Sequence, residues 1–366
     1  MNFSLKKING GQMMSQSLVK YFGWSIFFTV FGLILGTWLG WVQTNSVYQT
    51  LNIALICAIL AVLEISLSFD NAIVNANKLQ NMTPIWQERF LTWGILIAVF
   101  GMRIIFPLAI VAIAGDVGPI DAIRMAISSP SEYAQIMTDA DLSISAFGGT
   151  FLIMVSLGFF LDPDKKVHWI NPIELFVSKH LSIKNADTAF VLVLIGIVST
   201  QINPTDKNTF LLSSILGLSA YILVDLVGKL LDNSENNSGA IAKGGLGAFL
   251  YLEVLDASFS FDGVIGAFAL TQNLFVIAIG LGIGAMYVRS MTIMLVELGT
   301  LSQYRFLEHG AFYAIFFLSF VMLSKTLGFH IPEVISGLTG AILIGIALFS
   351  SIKFNKNNPS VDLETS

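Results

Sequence analysis

Ten apolar runs dominate the chain: 22–42, 51–77, 90–115, 144–161, 187–203, 209–230, 244–270, 274–298, 310–329 and 333–352. About 17 residues or more of apolar helix are needed to cross a bilayer core of roughly 30 Å. In that core backbone groups find no water, so a spanning segment must satisfy its own hydrogen bonds, as a helix does. The chain is therefore expected to be an all-α polytopic membrane protein with about ten transmembrane helices. Composition agrees: 12% of residues are charged, where a soluble domain carries about 25%. A soluble enzyme or a disordered scaffold is excluded. The net charge of −5 leaves no basic footprint for nucleic acid. One cysteine, Cys57, excludes a disulfide framework and a thiolate metal site.

Basic residues in loops set orientation. The first run follows Lys6, Lys7 and Lys20. It is too long for a signal-peptide core and lacks a small-residue cleavage site, so it reads as a retained helix. With the N-terminus inside, all but five of the 19 basic residues fall on the cytoplasmic side. Arg124, Lys207 and Lys325 fall in outer loops, and Arg103 and Arg289 within apolar runs. Both termini are then cytoplasmic. The expected organisation is a cytoplasmic segment 1–20, one transmembrane domain 21–353 and a cytoplasmic tail 354–366. The outer loop 116–143 is acidic and reads either as a cation-concentrating surface or as soluble packing.

An internal repeat lies across these helices. Residues 64–77 (EISLSFDNAIVNAN) align with residues 256–269 (DASFSFDGVIGAFA). Ser66, Ser68, Phe69, Asp70 and Ile73 match Ser258, Ser260, Phe261, Asp262 and Ile265. Glu64 matches Asp256 in charge, and downstream Gly94 and Arg103 match Gly280 and Arg289. In the ten-helix threading the repeats, about 21–205 and 206–353, run in opposite directions. Inverted repeats are typical of secondary transporters, whose sites lie near the midplane between them.

A carboxylate at the bilayer centre costs roughly 2.5–3.5 kcal/mol on insertion scales and is a functional candidate by default. Here these are Glu64, Asp70, Asp256 and Asp262, with Glu253 and the amide of Asn71 as secondary candidates. Six residues turn a helix through about 600°, so the acids of each pair sit about 120° apart on a regular helix. Sharing one site requires unwinding or a helix crossing. Ser66, Ser68, Ser258 and Ser260 compete for backbone bonds, and Gly263 and Gly266 relax the backbone, so the intervening residues suit unwinding. Such an oxygen set suits hard divalent cations: Mn²⁺, Ca²⁺ or Mg²⁺. The four histidines, His168, His180, His309 and His330, lie outside these helices, which disfavours zinc or copper. Arg103 and Arg289 read as charge partners that gate the site, or as helix staples. The Gly280-Leu-Gly282-Ile-Gly284 run reads as close helix packing, and the loop from Asp162 to His168 as a solvated turn.

The Glu64…Asp70-Asn71-Ala72 segment resembles the first signature of the TerC-type tellurium-resistance membrane proteins. Asp256, Phe259, Asp262, Phe268, Ala269 and Thr271 are similar to their second. The chain departs by Gly263 where that family has Ser and Ile265 where it has Pro. The stretches YLEVLDASFSFDGVIGAFALT, GLGIGAMYVRS and LEHGAFYAI are more similar to an uncharacterised sister branch. The resemblance spans about residues 50–350. It implies a bacterial inner-membrane protein of the wider lysine-exporter-like superfamily, linked to manganese export, metal homeostasis and tellurite resistance.

The expected function is secondary export of a divalent cation, Mn²⁺ foremost, with protons taking the carboxylates on the return stroke. The alternatives are a non-transporting metal sensor or a metal-delivery factor for exported proteins, and a Ca²⁺/H⁺ exchanger. An intramembrane aspartyl protease would carry a Gly-x-Gly-Asp segment, which is absent, so no enzyme activity is expected. The expected partners are the bilayer, the metal ion and protons.

Overall fold

The computed structural model describes residues 10–94, 96–162, 165–172, 174–175, 185–234, 245–329 and 331–358; within these, the side chains of 10–18, 228–234, 261, 333 and 334 are not described. Lys6, Lys7, Lys179, Lys184, Lys243, His180 and His330 lie outside the described residues, as does the tail beyond 358.

The described residues are helical, with no strand among them. In order they form α1 (Gly10–Thr44), α2 (Val47–Leu67), α3 (Phe69–Gln80) and α4 (Pro84–Ala114). Two short helices follow, α5 (Pro119–Ser128) and α6 (Pro130–Asp139), then α7 (Asp141–Phe160), α8 (Ala186–Ser199) and α9 (Lys207–Ser234). The chain closes with α10 (Leu246–Phe268), α11 (Leu274–Glu297), a single turn α12 (Thr300–Gln303), α13 (Leu307–Thr326) and α14 (Glu333–Asn357).

Eight of these helices are long and apolar enough to cross a membrane. The other two expected spans differ for separate reasons. The run 187–203 yields a helix of 14 residues, only about 21 Å long at 1.5 Å per residue. The run 244–270 yields α10, whose 23 residues suffice in length but carry Glu253, Asp256 and Asp262. Outward faces of α1, α9 and α14 expose large apolar side chains, among them Trp24, Phe27, Trp38, Leu212, Leu223, Ile346 and Phe349. Water would not tolerate a surface of that kind. Lipid does, and the chain is a polytopic helical membrane protein.

Small residues fix the helix contacts, as expected where lipid offers no hydrophobic drive between helices. Gly32 and Gly36 of α1 lie against Ile283 and Cys57; a Cβ there would meet them at 2.8 Å and 2.9 Å. On α11, Gly280 lies against Leu60 and the Cys57 carbonyl, and Gly284 against the Glu64 stem and the Ala61 carbonyl. The Gly280–Gly284 run is thus a packing face that admits α2. A buried apolar core joins α3, α7, α10 and α13 through Ile73, Leu79, Phe151, Leu255 and Phe312, among others.

The expected outer loop 116–143 folds as α5 and α6. Each begins at a proline that pre-sets the first turn. Ala122, Ala126, Tyr133 and Met137 are buried in one cluster with Val111, Val264, Ile277 and Leu281. Asp121 pairs with Arg124 at 3.2 Å on the exposed side. This region is a packed helical cap.

Candidate functional site

The first acidic helix breaks where its serines predict. Ser68 leaves helical geometry (φ −105°, ψ 17°) between α2 and α3. Its N–H still donates to the Glu64 carbonyl at 3.0 Å, and Ala72 N–H donates to the Ser68 carbonyl at 3.1 Å. The break is therefore a kink. It turns Asp70 into a first-turn residue of α3, where Asp70 Oδ1 accepts from Asn71 N–H at 2.9 Å. A helix start favours a carboxylate because its N–H groups are unpartnered and carry partial positive charge.

The second acidic helix does not break: α10 is continuous from Leu246 to Phe268. This corrects the expected unwinding near Asp262. Ser258 Oγ donates to the Val254 carbonyl at 2.9 Å, a local bond that leaves the helix intact. Gly263 serves close approach: a Cβ there would lie 3.2 Å from Glu64 Oε2.

Two small cavities meet at Glu64. The first, about 30 Å³, is lined by Glu64, Ser68, Asp70, Asp262 and Gly263 with apolar and small residues of α13 and α14. The second, about 40 Å³, is lined by Glu64, Asn71, Asn75, Glu253, Asp256, Arg103, Arg289 and Thr292. Each has room for a water or a bare cation and none for an organic solute. The four predicted acids are thus split, with Asp70 and Asp262 on one side of Glu64 and Asp256 on the other. No three acidic, histidine or cysteine side chains among the described residues stand close enough to hold a metal together. A single four-carboxylate centre is absent from this conformation, because Asp70 and Asp262 line one cavity and Asp256 the other.

The charges are partnered unequally. Glu64 Oε1 takes Arg103 Nη2 at 2.5 Å and Ser68 Oγ at 3.2 Å, and the Glu64 and Arg103 side chains are 4% and 3% exposed. Asp262 Oδ1 takes Lys325 Nζ at 2.5 Å. Asp256 Oδ1 accepts from Asn71 Nδ2 at 2.6 Å. Among the described residues Asp70, Glu253 and Asp256 form no ion pair. Arg289 lines the second cavity, yet its Nη2 donates to the Leu91 carbonyl of α4. One arginine is therefore a charge partner and its repeat mate a staple.

Arg103 sits where α4 widens. Residues Phe90–Gly94 and Ile97–Ile105 follow i→i+5 turns, with Phe106 N–H donating to the Gly101 carbonyl. Wide turns of this kind often mark functional positions. Gly94 lets Glu253 approach: a Cβ there would lie 3.0 Å from Glu253 Oε1.

Sequence reasoning missed three participants. Asn75 follows Asn71 by one helical turn on α3 and lines the same cavity; a second amide at i+4 in an apolar run was the signal. Thr292 lies on the same wall and hydrogen-bonds within its helix at 3.0 Å. The threading counts Lys325 with an outer loop, but the residue stands inside the 310–329 run, in the last turn of α13.

The loop from Asp162 to His168 is not the solvated turn expected. Pro163 and Asp164 lie outside the described residues. Lys165 and Glu174 are nearly buried and pair at 2.7 Å. Glu174 also accepts from Trp169 and Ile170 N–H and from Tyr313 OH, each at 3.2 Å. Burial alone would raise the Glu174 carboxyl, but Lys165 and the Ile170 N–H together hold it below its ordinary value. Burial holds Lys165 below its own. His168 and His309 stand 3.4 Å and 3.6 Å from Glu174, so these histidines belong to this cluster and not to the cavities.

No curated protein and no solved structure matches the chain. A family does: residues 69–358 match the family described as "Protein of unknown function (DUF475)". The match covers Asp70, both arginines, the acids of α10 and Lys325, and begins after Glu64. The chain belongs to the DUF475 family of membrane proteins.

Proposed function

We propose that this chain is a TerC-like secondary transporter that exports a hard divalent cation, Mn²⁺ foremost, through the two cavities flanking Glu64. One observation carries the reading. Four buried acceptor oxygens find no donor among the described residues: Asn71 Oδ1, Asn75 Oδ1, Glu253 Oε1 and Asp256 Oδ2. All four belong to residues lining the same cavity of about 40 Å³. Each orphan acceptor costs about 1–3 kcal/mol, and one bare cation answers all of them. Carboxylate and amide oxygens suit Mn²⁺, Mg²⁺ and Ca²⁺.

In this reading Glu253 is a central ligand beside Asp256, with Asn71 and Asn75 completing the set. Asp70 and Asp262 receive the ion in the neighbouring cavity, and Glu64 with Arg103 is the wall it passes. The kink at Ser68, between α2 and α3 of the first repeat, is the hinge on which Asp70 moves. Protons neutralise the acids on the return leg. The protein sits in a bacterial inner membrane with both termini cytoplasmic.

The test is Mn²⁺ flux into sealed proteoliposomes with a luminal Mn²⁺ indicator, with Ca²⁺ and Mg²⁺ as competitors. Flux is expected above empty vesicles and lost in Glu253→Gln, Asp256→Asn and Asp262→Asn. Flux that survives Asp256→Asn would sink the site assignment. Binding without flux would identify a membrane metal-binding partner in place of a carrier.

A further inference from the structure

Two of the cavity acids already hold a cation of the protein's own, and the two cations differ in kind. Arg103 is locked: its side chain is 3% exposed, Nη2 holds Glu64, and Nη1 donates to the Ala98 carbonyl of its own helix. Lys325 is 13% exposed and holds Asp262 Oδ1 at 2.5 Å. It stands in the last turn of α13, which ends at Thr326. Gly328 follows with φ 84°, a left-handed geometry that glycine adopts without strain and that terminates helices. An ammonium on a four-carbon stem is a compact point charge with rotatable donors, unlike a planar guanidinium fixed by its fork. Placed at a helix end, it can withdraw along its stem.

We propose that Lys325 is a tethered cation that occupies Asp262 when the transported ion is absent and is displaced when the ion enters. This role rests on the cation-carrier reading above and names what regulates the Asp262 half of the site. A buried carboxylate left without a counter-charge is strongly unfavourable, so an emptied carrier needs a replacement cation at Asp262. Lys325 supplies one from within the chain. The ammonium and a divalent ion cannot both take the same oxygen, so the lysine also weakens ion binding and permits release. If Asp262 is unoccupied about a tenth of the time, apparent affinity falls about tenfold. Lys325 is thus a positioning residue that acts through Asp262. Asp70, the repeat mate, has no such cation among the described residues and is held by the start of α3.

The experiment measures Mn²⁺ binding to the purified full chain in nanodiscs, read by the electron paramagnetic resonance of free Mn²⁺. Lys325→Met, which keeps the length of the stem, is expected to bind Mn²⁺ about tenfold tighter while its Mn²⁺ flux in proteoliposomes falls. Lys325→Arg is expected to keep binding at or below the wild-type level. Methylammonium added to Lys325→Ala is expected to weaken Mn²⁺ binding again. Unchanged or weaker binding in Lys325→Met, with flux still lost in Asp262→Asn, would overturn the role and leave the carrier reading standing. Absence of Mn²⁺ binding in the wild type would overturn the carrier reading and this role with it. A readout on the unsubstituted protein guards against misfolded variants. Saturating Mn²⁺ is expected to raise acylation of Lys325 by an amine-reactive reagent, followed by peptide mass spectrometry. Labelling that ignores Mn²⁺ would overturn the role.

Discussion

The two acidic helices start from nearly the same words and end differently. Ser66 and Ser258 behave alike: each hydroxyl donates to the carbonyl four residues back, at 2.8 Å and 2.9 Å. Their successors diverge. Ser68 Oγ donates to Glu64 Oε1 at 3.2 Å, and the helix breaks at that residue. Ser260 Oγ is buried with no partner among the described residues, and α10 runs through. The aspartates two residues on diverge with them. Asp70 is satisfied along the chain, by a new helix start and Asn71 N–H. Asp262 is satisfied across the bundle, by Lys325. A shared motif thus fixes where a carboxylate stands, while its neighbours decide whether the backbone or a distant cation compensates it.

The comparison breaks most visibly at the arginines. Arg103→Met leaves Glu64 buried without its partner, a loss expected to cost about 3–5 kcal/mol. Arg289→Met removes a hydrogen bond to the Leu91 carbonyl and no ion pair among the described residues, so it is expected to cost no more than about 1.5–3 kcal/mol. Thermal unfolding of the purified variants in detergent ranks them. Glu64→Gln added to Arg103→Met is expected to recover part of the loss, since the two residues share one interaction. Equal losses from the two arginines, without recovery in the double variant, would mean that both are staples.

The aspartates give the next difference. Asp262→Asn removes the carboxylate that the largely buried Lys325 ammonium holds and is expected to cost about 1.5–3 kcal/mol. Asp70→Asn weakens only the interaction of a charge with a helix start, expected at about 0.3–1 kcal/mol. The same unfolding measurement decides. A larger loss at Asp70 would show that it too depends on a cation in the working protein.

How much of this was legible follows from the range of each signal. Hydropathy is local, so eight of the ten expected spans were readable, and embedded acids are rare enough that Glu64, Asp70, Asp256 and Asp262 stood out. Their division between two cavities was not readable. It depends on how α2 crosses α10 and α11, which Gly263 and Gly284 set by letting Glu64 through. Asn75 carries no charge and so gave no alarm in an apolar run. Lys325 lies near a run's end, where a lysine ordinarily reaches for the interface; only the position of Asp262, 63 residues away, turns it inward. The loop at Lys165 looks solvated because Tyr313, which donates to its partner Glu174, lies 139 residues beyond that glutamate.

The smallest effect tests the origin of the divergence itself. Ser68→Ala removes one donor from Glu64 while Arg103 remains, so the expected loss is about 1 kcal/mol. Ser260→Ala removes a buried hydroxyl that has no partner among the described residues, so it is expected to be neutral or slightly stabilising. Unfolding separates the two, and amide exchange at Ala72 reports on the kink. Ala72 N–H donates to the carbonyl of Ser68 across the break. If the hydroxyl holds the kink, its removal lets α2 and α3 anneal and slows exchange at Ala72. If exchange is unchanged, the kink is held by Asp70 and the start of α3, and Ser68 merely occupies it. Slower exchange accompanied by falling Mn²⁺ flux would further tie the break in the first helix, absent from the second, to ion passage past Glu64.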